Sequence, residues 1–214
     1  MAKSPGTPKS FKIFNRDLNQ ETAKILGKNL TLAIDTEAMG LIHGRDRLCL
    51  VQICDSEDNV ACIKIEKDQK SAPLLKELLE LESIEKVFHF ARFDVAALAE
   101  GLSINTTRIF CTKIGSKIAR TYSPKHGLKE LILELVDVEL DKQSQSSDWG
   151  KIENLTEKQL AYAANDVRFL IEAKEKLKNM LMREGRLEIA EKCFNCIPTF
   201  TELDRKHYKN IFEH

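Results

Sequence analysis

An apolar strand that runs into Asp-x-Glu is the feature that most narrows what this chain can fold into. Leu30, Leu32 and Ile34 alternate along such a segment, and Asp35 and Glu37 close it. Residues two apart on a strand project from one face, about 7 Å apart along the chain. Two carboxylates converging at the edge of a core repel each other unless cations sit between them. Taken alone, the pair also fits a solvated strand end, so its meaning depends on what else converges on that spot.

The rest of the chain has an α/β order. Residues 17–26 read as a short helix ended by Gly27, and 29–37 as the strand carrying the two acids. Segments 47–54 and 59–65 are apolar and flank the turn-prone Asp55-Ser56-Glu57-Asp58, which predicts an antiparallel hairpin. A helix follows over 72–81, then a buried strand over 86–90, an alanine-rich helix from Asp94 to Glu100, and a strand over 107–110. Helical patterns then cover 112–120, 127–135 and 156–183. This predicts a mixed five-stranded sheet flanked by helices, formed by residues 11–214 as a single domain after a loose tail over residues 1–10. The polar stretch Lys142 to Asp148 is the longest loop and is expected at the surface or facing substrate.

No apolar run reaches the roughly 18–20 residues of a membrane span, and Met1 to Ser10 lacks the apolar centre of a secretory signal. The expectation is a cytoplasmic protein with no membrane partner. The six cysteines sit mostly in apolar stretches, which suits buried thiols and a reducing compartment. Formal net charge is zero, 33 basic against 33 acidic residues, so nucleic-acid binding would rest on local basic patches.

Two further acids stand in suggestive places. Asp94 opens a helix directly after a buried strand, a position that also suits an N-cap. Asp166 lies four residues after Tyr162, so the two share a helix face beside the apolar stripe of Leu160, Ala163, Ala164, Val167, Leu170 and Ile171. Two-metal phosphodiester hydrolysis needs several converging acids around cations about 3.5–4 Å apart. All-oxygen ligands favour two Mg²⁺ or Mn²⁺ ions. Tyr162 suits orienting a water better than acting as a base, since with a pKa near 10 only about one part in a thousand ionises at pH 7.

Three blocks, Ile34-Asp35-Thr36-Glu37, His89-Phe90-Ala91-Arg92-Phe93-Asp94 and Tyr162-Ala163-Ala164-Asn165-Asp166, resemble in order and spacing the tyrosine-bearing branch of the four-carboxylate (DEDD) 3′-5′ exonucleases. Within that branch the chain is similar to the ribonuclease D group, including the stretch from His126 to Trp149. The resemblance implies an RNase H-like sheet, with Asp35 bridging both metals, Glu37 and Asp166 on the nucleophile side, Asp94 near the other ion and Tyr162 positioning the water. It also implies that Thr36, Met39, Gln52, His89 and Lys129 lie near the terminal nucleotide. For three of these the residues alone allow other roles: a loop residue for Met39, a satisfied strand amide for Gln52 and a core histidine for His89. The expected activity is release of nucleoside 5′-monophosphates from an RNA 3′ end. Single-stranded or frayed DNA is the alternative substrate, and a non-catalytic nucleic-acid-binding module the third possibility. Oligomeric state is left open.

The sequence departs from the group in two ways. The helical domains that follow the nuclease in full-length ribonuclease D have no counterpart before His214, so substrate selection is expected from the catalytic domain or a partner. Phe110-Cys111-Thr112 also stands where Phe-Asp-Thr is common. Elsewhere, Lys113, Lys117 and Arg120 form a helical basic stripe that suits either a phosphate track or a solvated face. Trp149 is expected as a cap over the core, and Cys193 and Cys196, lacking a second ligand pair, as structural residues.

Overall fold

The computed structural model describes residues 2–42, 44–140, 147–208 and 210–212. Most of the predicted loop at Lys142 to Asp148 therefore lies outside the described residues. The strands are β1 (Ser10–Asn15), β2 (Thr31–Ala38), β3 (Leu48–Cys54), β4 (Asn59–Lys64), β5 (Glu85–Phe88) and β6 (Ile109–Cys111). The helices are α1 (Gln20–Leu26), α2 (Pro73–Glu80), α3 (Ala91–Leu102), α4 (Thr112–Ala119), α5 (Leu128–Val136), α6 (Glu157–Arg168), α7 (Leu170–Arg183), α8 (Leu187–Asn195) and α9 (Ile197–Arg205). Among the described residues no helix is long and apolar enough to cross a membrane.

One mixed sheet has the order β1-β4-β3-β2-β5-β6, six strands and not the five expected. The additional strand is β1, which pairs in parallel with β4. It is an edge strand with Phe11 and Ile13 exposed, so it lacks the buried alternating face that reveals a strand in sequence. The first residues are also tied down more than a tail would be. The Lys3 N–H donates to the Asp137 carbonyl, the Glu139 N–H to the Lys3 carbonyl, and Arg168 to the Gly6 carbonyl.

β3 is buried along its whole length, as a central strand must be when covered on both faces. β2 lies beside it, antiparallel to β3 and parallel to β5. Alternation along β2 sends Asp35 and Glu37 to one face and Thr36 to the other. The β2–β3 register shifts between Glu37 and Ala38, a bulge that re-aims the strand end directly after the second acid. The predicted helix over 156–183 is two helices, broken at Phe169, whose φ of −105° and ψ of 0° end α6. α6 leans on β2, β3 and β4, whereas α7 runs over α4 and α5 and reaches β2 and β5, so the two halves share β2 and otherwise diverge. Thr156 and Gln159 start α6 with a reciprocal capping box, which fixes the helix phase and hence where Tyr162 and Asp166 point.

Candidate active site

Four carboxylates meet at the β2 terminus. Ligand oxygens of Asp35, Glu37 and Asp166 lie within 4.8 Å of one another, the spacing a shared cation requires. Asp94 is outside that trio. It sits in the first turn of α3, where Phe90 occupies the N-cap position, so Asp94 is not the cap. Its carboxylate is held from the other side of β2 by the Thr36 hydroxyl, which donates to Oδ1 at 2.7 Å. α3 and α6 thus approach the strand end from either side, each delivering one acid to the pair on β2.

The electrostatics record how costly this convergence is without cations. Burial, followed by the charges of Asp94, Glu37 and Asp166, pushes the Asp35 carboxyl well above the usual range. Glu37 is raised to about 9 by burial and then by Asp166 and Asp94. Asp94 is raised to about 7 by burial, against the Thr36 hydrogen bond. Asp166 also reaches about 7 by burial, opposed by the Tyr162 hydroxyl and the Lys129 charge. The Tyr162 phenol is itself pushed up by burial and by Asp166, so it remains a donor. An all-oxygen set of mutually repelling, desolvated acids fits hard divalent cations.

Asp35, Glu37, Tyr162 and Asp166 open into a cavity of about 790 Å³, the volume of a ligand site. Its wall includes Met39, His89, Lys113, Lys129 and Trp149. Met39 is exposed. His89 Nδ1 is 2.9 Å from Thr112 Oγ1, and burial lowers the imidazole to about 3, so the ring is neutral. The Lys129 ammonium is 5.7 Å from the centre of the Tyr162 ring. Trp149 is buried with its ring centre 6.3 Å from that of Tyr162, so it caps the core and also backs the tyrosine. Thr36 reaches the same cavity, but its hydroxyl is committed to Asp94.

Gln52 departs from its expected place at the terminal nucleotide. It is the cross-strand partner of Asp35, fully buried and absent from the cavity wall, and both amide heteroatoms lack a protein partner. The basic stripe also breaks up. Arg120 is fully buried against Glu134, Ser116 and the Lys125 carbonyl, whereas Lys113 faces the cavity. Cys193 and Cys196 are free thiols on and just after α8.

Phe90 escaped notice in the sequence. It adopts φ 71° and ψ 45°, the left-handed region, at the entry to α3. An L-residue there costs about 1–2 kcal/mol. The residue remains 47% exposed, with the Lys113 ammonium 4.3 Å from the ring centre. An exposed cation–π contact returns only about 0.5–1 kcal/mol. The only warning in the sequence is a bulky residue at a strand-to-helix turn, where glycine or asparagine is cheaper.

A mixed sheet presenting three acids and a tyrosine to an open cavity, with a fourth acid buried beside them, defines a metal-dependent phosphodiesterase type of site. Residues 11–182 match the family described as 3′-5′ exonuclease, and the chain belongs to that family, whose members depend on divalent metal. Over 172 residues the chain is 30% identical to a ribonuclease D of Sphingobium indicum, covering 80% of this chain and 44% of that protein. It is 35% identical over 162 residues to DNA polymerase I of Aquifex aeolicus, covering 76% of this chain and 26% of that one. The chain therefore spans less than half the length of these curated relatives. The solved structure of Brucella melitensis NrnC bound to pGG superposes with a TM-score of 0.89 at 44% identity, covering 96% of this chain and 98% of that one.

Proposed function

We propose that residues 11–214 act as one 3′-5′ exoribonuclease domain that shortens RNA from its 3′ end and releases nucleoside 5′-monophosphates, using two Mg²⁺ or Mn²⁺ ions. The observation that carries this reading is the desolvated trio of Asp35, Glu37 and Asp166, with ligand oxygens within 4.8 Å, beside a protonated tyrosine. Bound cations would supply activation of the attacking water and stabilisation of the leaving oxygen. Asp35, Glu37 and Asp166 would hold them, with Asp94 completing the set from α3. Thr36 fixes the Asp94 carboxylate. Tyr162 donates to Asp166 and orients the water without accepting its proton. His89 and Lys129 face the terminal nucleotide from the cavity wall. The relatives named ribonuclease D support RNA as the polymer, and the neighbour solved with pGG supports nucleic-acid binding.

The test uses 5′-labelled RNA and DNA of one sequence, with free or blocked 3′ ends, in Mg²⁺, Mn²⁺ or chelator. A stepwise ladder on RNA, absent with a blocked end or with chelator, is expected. Tyr162→Phe should lower kcat roughly a hundredfold, the lower end for a positioned proton-handling group. No degradation of either polymer with any metal would overturn the reading, and faster digestion of DNA would favour the alternative substrate.

Thr36→Val tests the brace on Asp94. Losing a hydrogen bond to a charged group costs about 1.5–3 kcal/mol, which corresponds to roughly a ten- to hundredfold loss of turnover if Asp94 must be held for reaction. The acid limb of the pH–rate profile should move to higher pH, because the hydroxyl opposes the raised Asp94 value. A profile and rate equal to wild type would remove Thr36 from the site.

A further inference from the structure

The exposed Phe90 ring has no part in the chemistry described so far, and its surroundings argue for a ligand. The chain accepts a left-handed phenylalanine at the α3 entry and leaves nearly half of it in water. Packing covers only part of the side chain, and the cation–π contact with Lys113 returns no more than the backbone conformation costs. Its location is specific. The sequence neighbour His89 and nearby Phe93 line the carboxylate cavity, as does Lys113, while Phe90 stands outside that wall. A cavity of about 790 Å³ encloses one ligand of small-molecule size. A longer strand entering it must continue across the rim. There it meets an aromatic ring with an ammonium group over one face and the other face left for a base, the pairing by which proteins hold single strands through base stacking and phosphate attraction.

We propose that Phe90 and Lys113 form a stacking subsite for single-stranded RNA, which takes a base and its phosphate from a nucleotide upstream of those held in the cavity. The proposal rests on the exonuclease reading above. It makes Phe90 a length-sensing residue: oligomers long enough to reach the rim gain affinity, and dinucleotides do not.

The test measures two quantities on the full chain. Binding of a fluorescein-labelled decaribonucleotide is followed by anisotropy in chelator, where no hydrolysis occurs, and turnover of dinucleotide and decamer is followed with Mn²⁺. Asparagine tolerates the left-handed backbone, so Phe90→Asn should fold with an unchanged or higher Tm. It should weaken decamer binding roughly 5- to 150-fold, the range of one lost stack, and raise KM for the decamer while kcat and dinucleotide turnover stay as in wild type. Phe90→Trp should restore affinity, and Lys113→Met should reduce the salt dependence of decamer binding. Unchanged decamer affinity in Phe90→Asn would overturn the subsite. So would equal losses on dinucleotide and decamer, which would make the ring a support of the catalytic centre. A shift to a smaller species in sedimentation would also overturn it, identifying the ring as a self-association contact. A wild-type chain that binds the decamer but digests nothing would instead fail the exonuclease reading and leave the subsite standing.

Discussion

Asp35→Asn is expected to abolish hydrolysis while making the cation-free protein more stable. Asp35 is surrounded by three other acids, and its carboxyl is driven upward by burial and by all of them. In the cation-free chain at pH 8 an unfolded Asp35 is ionised and must take up a proton on folding, a cost that asparagine does not carry, so the Tm in chelator at pH 8 should rise by several degrees, since about 1 kcal/mol moves Tm by about 2–4 °C in a chain of this size. The same change takes a ligand from the centre of the trio. Losing one preorganised electrostatic group commonly costs a hundred- to a thousandfold, and a fall of at least about a thousandfold in single-turnover release of 5′-nucleotide is expected. The opposite signs of the two effects are the signature, because a variant that merely unfolds would lose both. Activity within about threefold of wild type would remove Asp35 from the chemistry.

The second large effect is a stability that falls with pH in chelator and recovers with divalent cation. Glu37 titrates near 9 and Asp94 and Asp166 near 7 in the folded chain, and Asp35 is raised as well. In the unfolded chain such groups titrate near 4. Between these values the folded state holds more protons than the unfolded state, so each group lowers stability by up to about 1.4 kcal/mol per pH unit as pH rises. This contribution is complete below about pH 4 and is lost progressively above it, up to about pH 7 for Asp94 and Asp166 and up to about pH 9 for Glu37. Melting in chelator should therefore show Tm falling on the order of 10 °C between pH 6 and pH 9. Mg²⁺ or Mn²⁺ binds the deprotonated acids and stabilises the folded state by mass action, so the curve should flatten when either is present. A Tm in chelator that is flat or rising over this interval would contradict the buried acid cluster.

The parts of the site legible in sequence were those whose chemistry is costly anywhere else. Asp35 and Glu37 stood out because acids ending an apolar strand need compensation, and Tyr162 and Asp166 because helical spacing puts them together. The hairpin of β3 and β4 was equally readable, since two apolar runs flank a polar turn. What stayed hidden depended on long-range partners. β1 reveals itself only through its ladder with β4, and Arg120 reads as a surface cation until Glu134 is known to meet it. Gln52 was assigned to the nucleotide by resemblance, whereas it lies fully buried beside Asp35 and off the cavity wall. The break at Phe169 separates a helix on β3 and β4 from one on α4 and α5, a difference in long-range partners that no local pattern records.

The assembly of the site from β2 and α6 has a consequence for the chain during its own synthesis. The strand carrying Asp35 and Glu37 emerges from the ribosome early, and the helix carrying Asp166 emerges late. Until α6 docks, the cation trio is incomplete, and the docking joins segments far apart in sequence, which is a slow class of contact to form. On the exoribonuclease reading proposed above, the site would therefore stay incomplete beside messenger and ribosomal RNA until the polypeptide carrying its last ligand is free to fold.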